Sequence, residues 1–512
     1  MRTPVRRKAV RMEAQNPWGF YLCKGKKGKA MGNLDIKEQK KNWIYLKEWD
    51  CYKLEQVCYC EKPRVPKEQC MNIFVPAEYM DKQGNRITEG SRMGYTADTA
   101  PVIFENGLAG YHEAEPFQLD DHRSMGVESI LAGFVYVSCG CRGRSSVDKK
   151  GILCGKAPVS VADLKAGIRF LKRNASVLPG NMERIISVGI SAGGAMSTLL
   201  GCTGDCTDYE EEWKEMGADF TQSDSIFGAQ CYCPITDLDH ADFAYEWMFE
   251  GQTHYMGMPF VGFNEGNLSS FAQSLSWKMG EKYVEYFNTL ELKNSDTGEM
   301  LKISKDHGGN GSAYLKKQLE KAADKYVAKF PERKQELEHY SWLDFREGKA
   351  YISSIKEMEQ DYHKRLKLCP AFDDLDLIQA ENQEFGTSVT DKRHFNTQLA
   401  KIMEELKVEY PGETARYLPG YKKICGDKEL ARQKRLLNPL NYIGKEKTAP
   451  YFRIRVGAKD ADTSLTVTMI LALKLTECGK TNVDYEIVWD EAHGRADYPG
   501  EMVEWVRSIY AV

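Results

Sequence analysis

The sequence predicts an α/β protein: a mostly parallel sheet covered by helices, interrupted by a large and mainly helical insertion. Three observations carry that expectation. Short apolar runs alternate with helix-spaced segments from about residue 70 to residue 237. The alternation stops between about residues 239 and 438, where Lys, Glu, Tyr and Met dominate, and resumes after residue 450. A strand, a tight glycine turn and a helix follow one another directly around Ser191.

The elements follow in order. Met71-Asn72-Ile73-Phe74-Val75-Pro76 reads as an edge strand, because proline cannot donate to a sheet ladder. Pro101-Val102-Ile103-Phe104 is a short apolar strand that runs into Asn106-Gly107-Leu108-Ala109-Gly110-Tyr111. Residues 133–137 form another buried strand. Val161, Leu164, Ile168 and Leu171 keep helical spacing, with Asp163 near the start and Lys172-Arg173 at the end, as the helix dipole favours. Residues 185–188 are the next strand.

Inside the insertion, Leu315, Leu319, Ala322, Tyr326 and Phe330 make one apolar stripe. Gly308-Gly309-Asn310-Gly311 and Pro331 punctuate it. Beyond it come a strand at 451–456, a helix near 463–478, a strand at 483–489 and a closing helix with Met502, Val503, Val506 and Ile509. The expected organisation is one core domain, 1–238 and 441–512, with residues 1–42 as an N-terminal extension and 239–440 as a lid domain.

Composition narrows the function. The 512 residues would fill about three average domains, but one core with a long insertion uses the same length. With 70 basic and 74 acidic residues the net charge is −4, which speaks against a nucleic-acid partner. No apolar run approaches the roughly 18 residues of a membrane span, so no membrane partner is expected. Residues 1–15 are basic but no apolar stretch follows, so they do not read as a secretory leader and a cytoplasmic protein is expected. Lys24-Gly25-Lys26-Lys27-Gly28-Lys29 lacks phosphate-loop spacing and reads as a solvated loop.

The 15 cysteines are odd in number, and the Cys-x-Cys pairs Cys58/Cys60, Cys139/Cys141 and Cys231/Cys233 are expected to be buried thiols, with a metal site as the alternative. Asp237, Asp239, His240 and Asp242 could meet a hard cation but are expected to cap and hydrogen-bond where the insertion leaves the core. Neither a metal nor a cofactor is expected.

The chemistry centres on Gly189-Ile190-Ser191-Ala192-Gly193. A Gly-x-Ser-x-Gly motif between strand and helix is a nucleophile elbow, in which small neighbours let the chain turn sharply under an exposed serine. A serine hydroxyl needs a base, and here acid and base should follow in the order Ser, Asp, His, each just past a strand end. His493 is the only histidine after His394, so it is the base. Gly457-Ala458-Lys459-Asp460-Ala461-Asp462 offers two acids; Asp460 is taken as the one that orients the imidazole, and Asp462 then faces the substrate. The oxyanion hole needs two backbone N–H groups: Ala192, and Leu108 or Ala109 from the Gly-rich loop. Arg142 and Arg144 are expected to hydrogen-bond nearby loops.

A longer likeness surrounds these residues. Gly155-Lys156-Ala157-Pro158 with Ala162-Asp163-Leu164-Lys165, the run 189–197, Asp208-Tyr209-Glu210, the run 231–242 and Ala244-Tyr245-Glu246-Trp247 together resemble the bacterial tannase and tannase-like (feruloyl-type) esterase family. The resemblance extends from about residue 72 to 247 and from about 450 to the end. It implies an α/β-hydrolase fold with a large lid. It implies a serine esterase that cleaves small-molecule esters of phenolic acids, gallates or hydroxycinnamates, through an acyl-enzyme. It implies Asp460 as the triad acid, Asp462 as a contact to ring hydroxyls and Ile235 as an apolar wall, and Asp239 is counted with the substrate contacts. Ile190 and Gly494 stand where fungal enzymes of related activity carry cysteines, so the likeness is to the bacterial type.

Tannases of this family also grip the ring with a lysine and a glutamate of the lid. The local likeness around Asn382-Gln383-Glu384-Phe385-Gly386-Thr387 and His394-Phe395 offers no lysine in the expected place. A feruloyl-type esterase without gallate specificity is therefore the alternative. A prolyl-oligopeptidase-like peptidase shares the residue order, but no blade-like repeat accompanies it here.

Overall fold

Nine strands build the central sheet: β1 (Ile44–Leu46), β2 (Cys51–Cys58), β3 (Cys70–Pro76), β4 (Val102–Asn106), β5 (Val135–Cys139), β6 (Ile185–Ile190), β7 (Gly228–Tyr232), β8 (Tyr451–Gly457) and β9 (Asn482–Val488). The computed structural model describes residues 34–37, 42–259 and 261–511. The basic stretch 1–15 and the Lys24–Lys29 run lie outside the described residues.

The strand order is β1-β2-β3-β5-β4-β6-β7-β8-β9. From β5 through β9 every pairing is parallel, while β1, β2 and β3 add an antiparallel flank. Strands β4, β5 and β7 are buried along their whole length, as a sheet covered on both faces requires.

One expectation is corrected. β3 is not an edge strand; it lies between β2 and β5 and is fully buried. The β1–β2 hairpin, which has no clear pattern in the sequence, covers it. Pro76 occupies the last position of β3, opposite Cys51, where the missing N–H interrupts no further ladder.

Helices α1 (Val159–Arg173) and α2 (Ala192–Cys202) pack on the sheet and are buried almost throughout. Charges buried on α1 are paired: Asp163 with Arg142, and Lys165 and Arg169 with Asp224. Between β7 and β8 the chain runs through α3 (Leu238–Met248), α4 (Ser270–Thr289), α5 (Asn310–Lys329) and the short α6 (Ala380–Glu384), with further helices and small hairpins. Leu315, Leu319, Ala322 and Tyr326 are the buried face of α5, which lies against β9. After β8 and β9 come α7 (Leu465–Cys478) and α8 (Glu501–Tyr510).

Every cysteine among the described residues is a free thiol, and only Cys425 is exposed. No helix among the described residues is long and apolar enough to cross a membrane.

The topology prepares the site. Strands β6, β7, β8 and β9 are neighbours and run the same way, so the turns that follow them gather along one edge of the sheet. Ligands and reacting groups collect at that carboxyl edge in parallel sheets.

Candidate active site

Ser191 sits between β6 and α2 with φ +59°, a conformation a serine adopts only under constraint. Its own N–H donates to Tyr232 O at the end of β7, 2.9 Å away. The turn is tight enough that a Cβ on Gly194 would stand 2.4 Å from Tyr232 O, so only glycine fits. Ser191 is also the N-cap residue of α2, yet its side chain does not cap the helix. The hydroxyl points elsewhere.

It donates to His493 Nε2, 2.8 Å away. On the far side of the ring, His493 Nδ1 donates to Asp460 Oδ2 at 2.8 Å. Asp460 is fully buried, and its other oxygen accepts from Asp462 N at 2.9 Å. Two loops make this line possible. Lys459 N donates to Glu491 O at 2.9 Å and Ala458 N to Val488 O at 2.8 Å, which fastens the loop after β8 to the loop after β9. A Cβ on Gly457 would lie 2.3 Å from Glu491 O, so a side chain there would separate them.

The electrostatics follow from the geometry. Burial alone pushes the His493 pKa down, but the carboxylates of Asp460 and Asp462 overcome it and hold the imidazole well above its ordinary value. Burial likewise opposes charge on Asp460, and the His493 ring beside it holds the carboxyl below its ordinary value. A hydroxyl, imidazole and carboxylate in one hydrogen-bonded line can move a proton off the hydroxyl and stabilise the imidazolium that results.

The loop after β4 lies against the start of α2. Gly193 N donates to Leu108 O at 3.0 Å, and Asn106 Nδ2 donates to Gly193 O at 3.2 Å. Among the described residues nothing accepts from the backbone N–H of Ala192, Leu108 or Ala109. Ile235 is buried in the segment leaving β7, next to Pro234, which closes on Gly194.

Asp462 is brought to the site, and the insertion between β7 and β8 meets it there. Lys367 Nζ lies 3.7 Å from Asp462 Oδ1 and 4.1 Å from the centre of the Phe372 ring. Glu381, buried on α6, has its pKa raised by burial, while the nearby charges of Lys367 and Arg144 pull it back and Asp462 adds to the rise. Neither Lys367 nor Glu381 stands out in the sequence. The available signal was faint: a lysine set between apolar residues just before Cys369-Pro370, in a segment with no strand to anchor it. Cys233 carries no catalytic signal in the sequence beyond its Cys-x-Cys pair and its place in the run 231–242. It stands at φ +43°, donates from Sγ to Gly494 O at 3.3 Å, and its sulfur lies within 4.8 Å of both an Asp460 oxygen and a His493 nitrogen.

Asp239 is a correction. Its carboxylate pairs with Lys434, and both line a hollow of about 440 Å³ bounded by Thr397, Gly426 and Arg435 that includes none of Ser191, His493, Asp460 and Asp462. Its neighbours are also engaged: Asp237 accepts from Asn438, His240 and Tyr286, and Asp242 accepts from Phe372 N, Asp373 N and Asn396. Asp237 does occupy the N-cap of α3 but makes no side-chain cap there.

Comparison with known proteins places this architecture. A family model described as BD-FAE matches residues 113–259. No curated protein matches the chain. Among solved structures, the chain is similar to the tannase of Fusobacterium nucleatum, at 31% identity over 90% of this chain and 95% of that one, with a TM-score of 0.78. It is similar to a tannin acyl hydrolase in complex with ethyl gallate, at 30% identity over 90% and 94% of the two chains, with a TM-score of 0.76. The tannin acyl hydrolase of Lactobacillus plantarum gives 30% identity, the same coverage and a TM-score of 0.77.

Proposed function

The chain belongs to the tannase family, and on that premise we propose that Ser191, His493 and Asp460 are the nucleophile, the general base and the orienting acid of a phenolic-ester hydrolase. It is a carboxylic ester hydrolase with an α/β-hydrolase fold. Ser191 Oγ attacks the ester carbonyl as His493 Nε2 takes its proton. Asp460 fixes the ring tautomer. Ala192 N–H, with Leu108 or Ala109 N–H, stabilises the tetrahedral oxyanion. Collapse expels the alcohol, which takes the proton from His493. Water then repeats the sequence on the acyl-enzyme and releases the aromatic acid.

Residues 239–440 act as the lid that chooses the acid. Lys367, Glu381 and Asp462 converge beside the triad and offer both donors and acceptors to adjacent ring hydroxyls, with Ile235 as an apolar wall. This convergence favours a galloyl-type acid over a ferulate, which carries fewer free hydroxyls. The single observation that carries the whole reading is the hydrogen-bonded line from Ser191 through His493 to Asp460. A peptidase reading has no comparable support, since the related structures are tannases.

The test is a side-by-side rate measurement on methyl gallate, methyl ferulate and methyl benzoate. Methyl gallate is expected to be cleaved fastest, and Ser191→Ala to lose at least about 10⁴-fold on all three. Full activity in Ser191→Ala would end the proposal. A preference for ferulate would move the substrate to the hydroxycinnamates.

A further inference from the structure

We propose that Arg144 is a positioning residue that ties the ring contact on α6 to the oxyanion loop, so that recognition of the acid and activation of its carbonyl rise together. The inference rests on the hydrolase reading above, with Leu108 or Ala109 as an oxyanion donor and Glu381 as a ring contact.

Arg144 is half-buried in the segment after β5. Its Nε donates to Gly110 O at 2.8 Å, directly beside Ala109. The two ends of its guanidinium reach Gln383 Oε1 on α6 and His112 Nε2. Its own backbone N donates to Tyr111 O at 2.7 Å, so the arginine holds the loop at two successive carbonyls. On the lid side, Gln383 stands two residues after Glu381 on α6. A Cβ built on Gly110 would lie 3.9 Å from Ala380 Cβ, which places the lid helix in van der Waals reach of the oxyanion loop.

A closed circuit stiffens this link. Gln383 Nε2 donates to both oxygens of Asp391, at 2.8 and 3.1 Å. Lys156 Nζ donates to Asp391 Oδ1 at 2.9 Å and returns to Arg144 O at 2.6 Å. The planar guanidinium can hold the core carbonyl and the lid amide at once, in fixed directions; a lysine has one point of charge and cannot.

The consequence is directional. Holding the Gly110 carbonyl restrains the short backbone run that leads to it, whose second and third preceding peptide planes carry the Ala109 and Leu108 N–H groups. A ring whose hydroxyls engage Glu381 holds α6 in place, and Arg144 passes that constraint to the oxyanion loop. A ring without hydroxyls leaves the loop less constrained. The effect belongs in kcat more than in KM, because the donors act on charge that develops after binding.

The test compares wild type, Arg144→Lys, Gln383→Leu, Glu381→Gln and the double variant Arg144→Lys/Glu381→Gln on methyl gallate and methyl benzoate. Arg144→Lys is expected to lower kcat on methyl gallate by about 10-fold or more, with KM and the methyl benzoate rate changing less than about 3-fold. Gln383→Leu cuts the link from the lid side, leaves the arginine in place, and is expected to give the same pattern even if the arginine variant folds poorly. Glu381→Gln should cost far less when Arg144 is already lysine. Equal losses on both esters, or additive losses in the double variant, would overturn the inference and leave Arg144 as plain support for the loop. Failure of the hydrolase reading itself looks different: wild type would cleave neither ester.

Discussion

Lys367 Nζ lies 3.7 Å from Asp462 Oδ1, and this contact joins the insertion between β7 and β8 to the same loop that carries Asp460. Asp460 turns inward to the imidazole, while Asp462 turns toward the lid cation and keeps one-fifth of its side chain exposed. Two aspartates on one short loop thus point in different directions. A single residue, Ala461, separates the one that meets the imidazole from the one that meets the lysine.

The ring contacts should be separable from the chemistry. Lys367→Met and Glu381→Gln each remove a hydrogen bond that involves a charged partner, worth about 1.5–3 kcal/mol, or roughly 10- to 100-fold in kcat/KM. That loss is expected on methyl gallate, with methyl benzoate nearly unaffected, since its ring has no hydroxyl to lose. Steady-state kinetics on the two esters check this. Equal losses on both would remove Lys367 and Glu381 from the acid subsite.

Asp462 also acts on the base. Its negative charge helps hold His493 well above the ordinary imidazole pKa. As the proposed general base, His493 works only when neutral, so a raised pKa shifts the acid limb of the rate profile upward in pH. Asp462→Asn removes the charge, lowers the His493 pKa, and should move that limb to lower pH. The profile of kcat/KM is best taken on methyl benzoate, so that lost ring contacts do not intrude. A limb that stays in place would show that the charge does not reach the imidazole.

Glu384 predicts a dependence of stability on pH. Burial pushes its pKa from 4.5 up to about 8; Lys156 and Arg144 pull it back in part, and Glu381 adds to the rise. Neither of its oxygens has a hydrogen-bond partner among the described residues. In the unfolded chain the carboxyl ionises near its usual value, whereas in the fold it keeps its proton. The stability it contributes is complete below about pH 4.5 and is lost as the pH rises through about 8. Glu384→Gln keeps a neutral side chain at every pH, so its gain in Tm over wild type should be larger at about pH 8 than at about pH 5. The same Tm difference at both values would remove Glu384 as the source.

The residues that could be read from the sequence share one property: each is tied to a strand end. Ser191, Asp460 and His493 follow β6, β8 and β9, whose apolar runs are short and sharply bounded. A parallel sheet brings such ends together wherever the strands stand in sequence. β3 reads as an edge in the sequence because its proline is visible while the covering hairpin β1–β2 is not; Ile44 and Tyr45 are exposed and carry no buried pattern.

The sequence by itself therefore indicated the parallel strands of the sheet, their interruption and the order of Ser191, Asp460 and His493, because those depend on local periodicity and chain direction. Only the tertiary structure decided which side chains of the insertion come to the loop that carries Asp460 and Asp462. Lys367 and Glu381 come from irregular and short helical segments whose pattern does not distinguish a pocket from a lid core. Asp239 lies in a matching stretch, but the packing of α3 pairs it with Lys434 instead. The direction of a side chain is set by the partners that fold against it, and those partners are distant in the chain.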